Sequence, residues 1–285
     1  MADQDNGKER VGVIGVGRMG LAMAKHLINH GYPVSACDID QASLDKARDM
    51  GAAIFATPAE LGRNVDYVIV GVGYDSEVNE VVLGENGVLG TLVPGSLIAV
   101  SSTVAPNTIK RIGETAEANG VDVLDAPICR ARCYADAGEL LALLGGKTEV
   151  VERSRPIFST FCSDIAHLGD IGQGQVGKAL NNLLLWINSI ALIEAGRIAE
   201  ATGMDLPSLR DALMISSAKS QALQDWDQIS FTWALKDMQI VGQIADEAGL
   251  ALPVTGAIKE LVKEARRIKA SNPPQWTRHT SGAKP

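Results

Sequence analysis

The feature that most constrains this chain is a glycine-spaced turn set directly after its first apolar run. Val11-Gly-Val-Ile14 has the pattern of a β-strand, and Gly15, Gly17 and Gly20 follow in G-x-G-x-x-G spacing as a helical period begins. Each glycine has its own physical reason. The first permits the tight turn, the second lets backbone approach a pyrophosphate, and the third lets the helix pack closely on the strand with its N-terminus facing the phosphates. The spacing alone is common in glycine-rich chains, and its position between strand and helix is what makes it informative. A second strand, 34–37, runs into Asp38, at the interval of about 20 residues where an acid accepts hydrogen bonds from the adenosine ribose hydroxyls. This predicts NAD as the cofactor, because a 2′-phosphate would be repelled by the carboxylate and Ile39, Asp40 and Gln41 supply no cation. The alternative is that Asp38 only caps a turn. Arg18 and Met19 in the turn, and Val72 at the end of a later strand, complete the expected cofactor lining.

Apolar β-rich runs continue at 67–72, 97–100, 121–124 and 140–144, with helical patterns between them at 19–29, 41–50, 75–82 and 106–118. That alternation is the βαβ rhythm of a parallel sheet, and the right-handed crossover rule makes the sheet doubly wound. After Gly174 the strand-like runs stop. Helical periods over 175–202, 207–215, 234–248 and 255–268 predict an all-helical second part. The expected architecture is therefore α/β: a Rossmann domain over 1–173 and a helical substrate and oligomerisation domain over 174–285. The helix 175–202 is apolar almost all round and is expected to be buried and to bridge the two domains. The tail with Pro273, Pro274 and Pro285 is polar and has little with which to fold.

A net charge of −8 removes any broad attraction for nucleic acid or anionic membrane. The first ten residues lack the apolar core of a secretory signal. Asn181, Asn182, Asn188 and Ser189 interrupt the most apolar helix, which falls short of a membrane span. The four cysteines, Cys37, Cys129, Cys133 and Cys162, are too sparse for a disulfide scaffold, so a reducing cytoplasm and free thiols are expected. No metal site is predicted, because Cys129 and Cys133 have no further Cys or His cluster near them. His26 and His30, one helical turn apart, are expected on a solvated face. The size of the helical domain, roughly 110 residues around a long apolar helix, points to a homodimer or homotetramer.

Lys178 and Asn182 lie four apart, on one helix face. A lysine in the first turns of an apolar helix is partly desolvated, which brings an ammonium toward the range useful for proton transfer. The alternative is that it snorkels to solvent.

The chain resembles the β-hydroxyacid dehydrogenase family over nearly its whole length. The resemblance rests on Gly12-Val-Ile-Gly-Val-Gly-Arg-Met-Gly20, Ser102-Thr103 with Pro106, Asp125-Ala-Pro127 with Gly138 and Gly145-Gly146, Gly174 through Lys178 to Asn182, and Lys236-Asp237. It implies NAD-dependent interconversion of a small β-hydroxy acid and its aldehyde, with Lys178 as general acid and base and Asn182 orienting substrate or lysine. It also implies Thr103 beside the nicotinamide, Lys236 closing near the cofactor, and a substrate site built from Ser102, Cys129, Arg130, Ala131, Lys178 and Asn182.

Two departures qualify this. Many members carry Ser-Gly-Gly after Asp-Ala-Pro, where a hydroxyl and amides receive the substrate carboxylate; this chain has Ile128-Cys-Arg-Ala-Arg132. The arginine is similar to the sulfolactaldehyde reductase branch, which uses Gly-Arg-x-Ser there for a sulfonate, but Cys129 and Arg132 break that match. Arg130 is expected either to hold a small anionic substrate or to pair with an acid such as Asp136. The interval from Lys178 to Lys236 is also short for the family, implying a trimmed segment near 216–230 beside the substrate cleft. An imine reductase shares this architecture but lacks the lysine, and a non-catalytic dinucleotide-binding scaffold would not need Lys178 or Asn182.

Overall fold

A computed structural model describes residues 7–278. By contacts the chain divides into two compact units, Met1–Lys178 and Ala179–Pro285.

The first unit opens with β1 (Val11–Ile14), α1 (Arg18–Asn29), β2 (Val34–Cys37), α2 (Gln41–Asp49), β3 (Ala53–Ile54), α3 (Pro58–Gly62), β4 (Tyr67–Val70) and α4 (Asp75–Leu83). It continues with β5 (Leu97–Val100), α5 (Pro106–Glu117), β6 (Asp122–Asp125), β7 (Ile128–Cys129), α6 (Arg132–Ala137), β8 (Leu140–Leu144), α7 (Thr148–Phe158) and β9 (Cys162–His167). Six strands form a parallel sheet in the order β3-β2-β1-β4-β5-β6. The order reverses between β1 and β4, and in such sheets the crevice at the strands' carboxyl ends takes the ligand. Side chains alternate across the sheet. Val11, Val13, Tyr67, Ile69, Leu97 and Ala99 enter one core with α1, α2 and α7. Ile14, Val68, Val70, Ile98 and Val100 enter another with α4 and α5. Both faces are dry, which is why these strands are continuous apolar runs. A smaller sheet, β7-β8-β9, pairs β7 with β8 antiparallel and β8 with β9 parallel.

The helix α8 (Gln173–Ala201) starts in the first unit and runs on into the second. Contrary to what its asparagines suggest, it is long and apolar enough to span a membrane by length and composition alone, and 39% of its most apolar window is buried. Its face is not apolar and buried all round as its composition suggests: Leu180, Leu184 and Ile198 are 53%, 62% and 66% exposed, whereas the polar Gln175, Asn182 and Ser189 are buried.

The second unit adds α9 (Leu206–Leu213), α10 (Gln221–Gln224), α11 (Ala234–Glu247) and α12 (Pro253–Ser271). Its core gathers Trp186, Ile190, Trp226, Phe231, Met238, Val262 and Trp276. The tail is not loose as its composition suggests. Trp276 is fully buried and its indole N–H donates to Leu192 O at 3.2 Å, while Trp226 donates to Pro274 O at 3.0 Å. Gly196 leaves the room, since a Cβ there would lie 2.4 Å from the Pro274 ring. Pro285 falls outside the described residues. The segment 216–230, expected to be trimmed, contains the four-residue α10 and a single 3-10 turn at Trp226–Gln228.

Candidate active site

The glycine turn has the geometry its spacing demands. Gly15 has φ 88°, and a Cβ there would lie 2.6 Å from Gly71 O. A Cβ on Gly20 would strike Gly15 O at 2.0 Å, so α1 touches the turn through bare backbone. At Gly17 an added Cβ meets nothing within 4 Å, which marks open space beside the backbone rather than packing. Gly17 is the N-cap of α1, and no acid occupies the first turn of that helix, so its N-terminal field is left for an anion. The residues therefore fit a dinucleotide, with its pyrophosphate at Gly17 and the start of α1.

Asp38, just past β2, is half-buried and doubly held: Val16 N donates to Oδ2 at 2.7 Å and Asp40 N to Oδ1 at 2.8 Å. The carboxylate is thus oriented against the glycine turn, while the neighbouring Ile39 is fully exposed. Arg18 at the start of α1 pairs with Asp136 at 3.6 Å, and Met19 packs against the sheet core. Val72 N donates to Ser102 Oγ at 2.9 Å, which ties the ends of β4 and β5 together.

Ser102 and Arg130, both expected at the substrate, have their polar groups engaged within the protein. Ser102 is buried, and its hydroxyl receives Val72 N and reaches back to Val70 O at 3.4 Å. It builds the site's wall. The Arg130 guanidinium donates to Glu139 O at 2.6 Å, Ser163 Oγ at 2.7 Å and Asp164 Oδ2 at 2.7 Å. The paired acid is Asp164 on β9, not Asp136. Arg130 is also the one non-glycine residue at positive φ, 84°, among the described residues, a backbone conformation that favours glycine. Ala131, the N-cap of α6, is half-buried.

Lys178 is half-buried in the second turn of α8, and its Nζ lies 3.9 Å from Sγ of the buried Cys129. The lysine and the segment after Asp-Ala-Pro thus meet within the first unit. Thr103, half-buried, sits between Ser102 and Val104, both of which are held by Gln175: Nε2 donates to Ser102 O at 2.8 Å and Oε1 accepts from Val104 N at 3.1 Å. In the second unit Asn182 is buried and accepts from the Asn181 amide at 3.0 Å, and the Lys236 ammonium lies 5.6 Å from the centre of the Trp233 ring.

Sequence reasoning missed the residue that seats this helix. Asp125, at the end of β6, is fully buried; Oδ1 accepts from Gly172 N and Oδ2 from Gln175 N, each at 2.8 Å. Burial pushes its carboxyl up to about 6, although the Gly172 and Gln175 amides pull the other way. The signal was present, since Asp125, Gly145 and Gly174 all stand among the motif positions, but their physical relation was not visible. His26 also departs from expectation: it is half-buried against α6, with Nε2 3.0 Å from Ala135 O. The thiols are free, and burial raises Cys37 to about 11 and Cys162 to about 12, so both stay protonated.

A Rossmann sheet with a glycine turn that fits a pyrophosphate, and a lysine-bearing helix starting at its carboxyl edge, is the architecture of a dinucleotide-binding protein. Comparison with known proteins makes this narrower. Residues 10–169 match the family described as the NAD-binding domain of 6-phosphogluconate dehydrogenase, and residues 172–273 match that described as NAD-binding of NADP-dependent 3-hydroxyisobutyrate dehydrogenase. The chain is 33% identical over 209 residues to a probable mitochondrial 3-hydroxyisobutyrate dehydrogenase of Dictyostelium discoideum, covering 73% of this chain and 65% of that one. It is 32% identical over 216 residues to an NAD-dependent L-serine dehydrogenase of Pseudomonas aeruginosa, covering 76% and 72%. The solved Mycobacterium tuberculosis 3-hydroxyisobutyrate dehydrogenase with L-serine superposes with a TM-score of 0.81 at 24% identity, covering 93% of this chain and 95% of that one. The chain belongs to the β-hydroxyacid dehydrogenase family.

Proposed function

We propose that the protein is an NAD-dependent oxidoreductase that interconverts a small β-hydroxy acid, or hydroxy sulfonate, with its aldehyde, using Lys178 as general acid and base. The observation that carries this reading is the half-buried Lys178 ammonium beside Cys129, in the segment where many relatives receive the substrate acid group. Bound cofactor supplies a hydride acceptor or donor at the nicotinamide carbon. Lys178 would take the hydroxyl proton as the neutral amine while hydride leaves, becoming the ammonium, and the ammonium would return that proton to the carbonyl oxygen in reverse. Asn182, one turn along the same helix, orients substrate or lysine, and Thr103 borders the nicotinamide. The proposed NAD preference is supported by Asp38, whose carboxylate is held against the glycine turn, and by the lack of a cation at residues 39–41.

The acid group of the substrate is assigned to the Cys129–Ala131 backbone rather than to the Arg130 side chain, whose guanidinium already has three partners. Lysine at position 178 disfavours an imine reductase, and retention of both Lys178 and Asn182 disfavours a scaffold without activity. The exposed Leu180, Leu184 and Ile198 of α8 support self-association as a homodimer or homotetramer, and the free thiols and net charge support a soluble cytoplasmic enzyme.

The test is NAD+ reduction on a panel of 3-hydroxyisobutyrate, L-serine, three-carbon hydroxy sulfonates and cyclic amines. Turnover on a hydroxy acid or sulfonate is expected. Turnover confined to amines would replace this reading with the imine reductase one, and sedimentation as a monomer would remove the oligomer.

A further inference from the structure

Two motif glycines and an aspartate are left without a role once cofactor and proton transfer are assigned, and their geometry supplies one. Asp125 Oδ1 and Oδ2 accept from Gly172 N and Gln175 N, at the very start of α8. The first amides of a helix have no partner within it, and an anion there is further stabilised by the helix field. The carboxylate is seated so tightly that only glycine fits around it. A Cβ on Gly145 would lie 2.4 Å from Oδ1, and one on Gly174 would lie 2.7 Å from Oδ2. Main-chain bonds between Asp125 and Gly145, at 3.0 and 2.8 Å, lock β6 to the end of β8.

The turn that Asp125 holds then reaches outward. Gln175 is fully buried, and its side-chain amide uses both ends on the loop after β5, donating to Ser102 O and accepting from Val104 N. These two groups flank Thr103. Ser102 in turn receives Val72 N through its hydroxyl, so the ends of β4 and β5 join the same network. Lys178 is three residues beyond Gln175 on α8, about one turn. The lysine and the Thr103 loop are therefore connected through one side chain.

We propose that Gln175, anchored by Asp125, is a positioning residue that fixes the distance between the Lys178 ammonium and the Thr103 loop that borders the nicotinamide. The proposal rests on the reading of Lys178 as the proton-transfer group. Proton and hydride transfer must be aligned together, and a misplacement of about 1 Å costs on the order of a hundredfold in rate. A glutamine is suited to the task because its amide offers a donor and an acceptor to a backbone segment that presents one of each.

Gln175→Glu and Gln175→Met test it, on the full chain. Glutamate keeps the shape but opposes an acceptor to Ser102 O, and methionine keeps the bulk without either bond. Amide hydrogen exchange at Val104 is expected to quicken at least about tenfold in Gln175→Met, while exchange across the glycine turn at residues 15–20 stays unchanged. On whichever panel substrate is turned over, kcat is expected to fall about a hundredfold in both variants, with the NADH dissociation constant within about threefold of the parent. The isotope effect from substrate deuterated at the carbinol carbon should rise in the same variants as the transfer step becomes limiting. Unchanged Val104 exchange, or parallel losses in kcat, NADH binding and melting temperature, would overturn the proposal. Lys178→Ala separates the two ideas. If it keeps near-normal turnover the proton-transfer reading fails, whereas quickened Val104 exchange without a kcat change in the Gln175 variants removes the positioning role alone.

Discussion

Two aspartates at the carboxyl edge of one sheet hold different pieces of backbone. Asp38 follows β2, is half-buried, and receives the backbone of the glycine turn and of Asp40. Asp125 ends β6, is fully buried, and receives the first turn of α8. Each accepts two backbone amides, so hydrogen bonding does not distinguish them. Their neighbours do. Beside Asp38 stand Gly17, with open space where a side chain would be, and the exposed Ile39. Around Asp125 the space is filled, because Gly145 and Gly174 bring backbone against both oxygens. The edge of a parallel sheet thus offers the same carboxylate either to a ligand or to a helix, and the packing of the glycines beside it decides which.

The largest expected effect comes from separating the two ends chemically. Lys178→Ala leaves both aspartates and the glycine turn in place, so folding and NADH binding should persist while turnover falls by about 10²–10⁴, the usual contribution of a positioned acid or base. Steady-state kinetics with fluorescence titration of NADH checks it, and near-normal turnover would mean that the helix end carries no proton chemistry.

Ionisation gives the next test. Burial holds the Asp125 carboxyl at about 6 in the folded chain, against about 3.9 in an unfolded one. The folded chain therefore keeps this proton at pH values where the unfolded chain has lost it. The stabilisation that comes with the retained proton is complete below about pH 4 and is lost as pH rises through about 6, up to ~3 kcal/mol in all. Asp125→Asn removes that slope, and it also costs about 1–3 kcal/mol by leaving one of the two amides without an acceptor. Urea unfolding of both proteins at pH 4.5 and 7.5 should show their stability difference narrowing at the higher pH. A difference that does not change with pH would mean that burial does not hold the Asp125 carboxyl up.

At the other end, Asp38→Ser with Ile39→Arg removes a repulsion and adds a cation where a 2′-phosphate would lie. The ratio of kcat/KM for NAD over NADP should drop by about ten- to a hundredfold, the worth of roughly 1.5–3 kcal/mol for a charge-assisted contact. An NADP preference in the parent enzyme would show that Asp38 does not face a ribose.

The sheet was legible where packing is symmetrical. The strands β1, β2, β5 and β8 coincide with their apolar runs, and for β1 and β5 the reason is that parallel strands dry on both faces leave no polar residue to blur the ends. By contrast β3 and β7 are two residues each, too short for any period, and β9 has a polar sequence with exposed Ser163 and Asp164. Helix α7 carries Pro156 inside it, which reads as a break. In the site, Gly15, Gly17, Gly20 and Asp38 were readable because their spacing is local. Asp125 was not, since its partners lie 47 and 50 residues away and its role exists only once β6 and α8 meet. The same holds for Arg130, whose fate was decided by the unread strand β9, and for Trp276, which anchors a tail whose prolines suggested none.

The smallest effect concerns that arginine. Its ion pair with Asp164 leaves the two side chains 29% and 56% exposed, so solvent screens the pair and it contributes little to stability. Its backbone at φ 84° costs an L-residue about 1–2 kcal/mol, a cost that glycine does not bear. Arg130→Ala keeps the strain and loses the pair, while Arg130→Gly loses the pair and releases the strain. Denaturant unfolding should therefore place Arg130→Gly above Arg130→Ala by about 1 kcal/mol and near the parent. Because three internal acceptors already hold the guanidinium, KM for an anionic substrate should change less than about threefold in either variant. A rise in KM of tenfold or more in both variants, with stability unchanged, would mean that Arg130 leaves Asp164 to hold the substrate anion, and the acid-binding role would return from the Cys129–Ala131 backbone to this side chain.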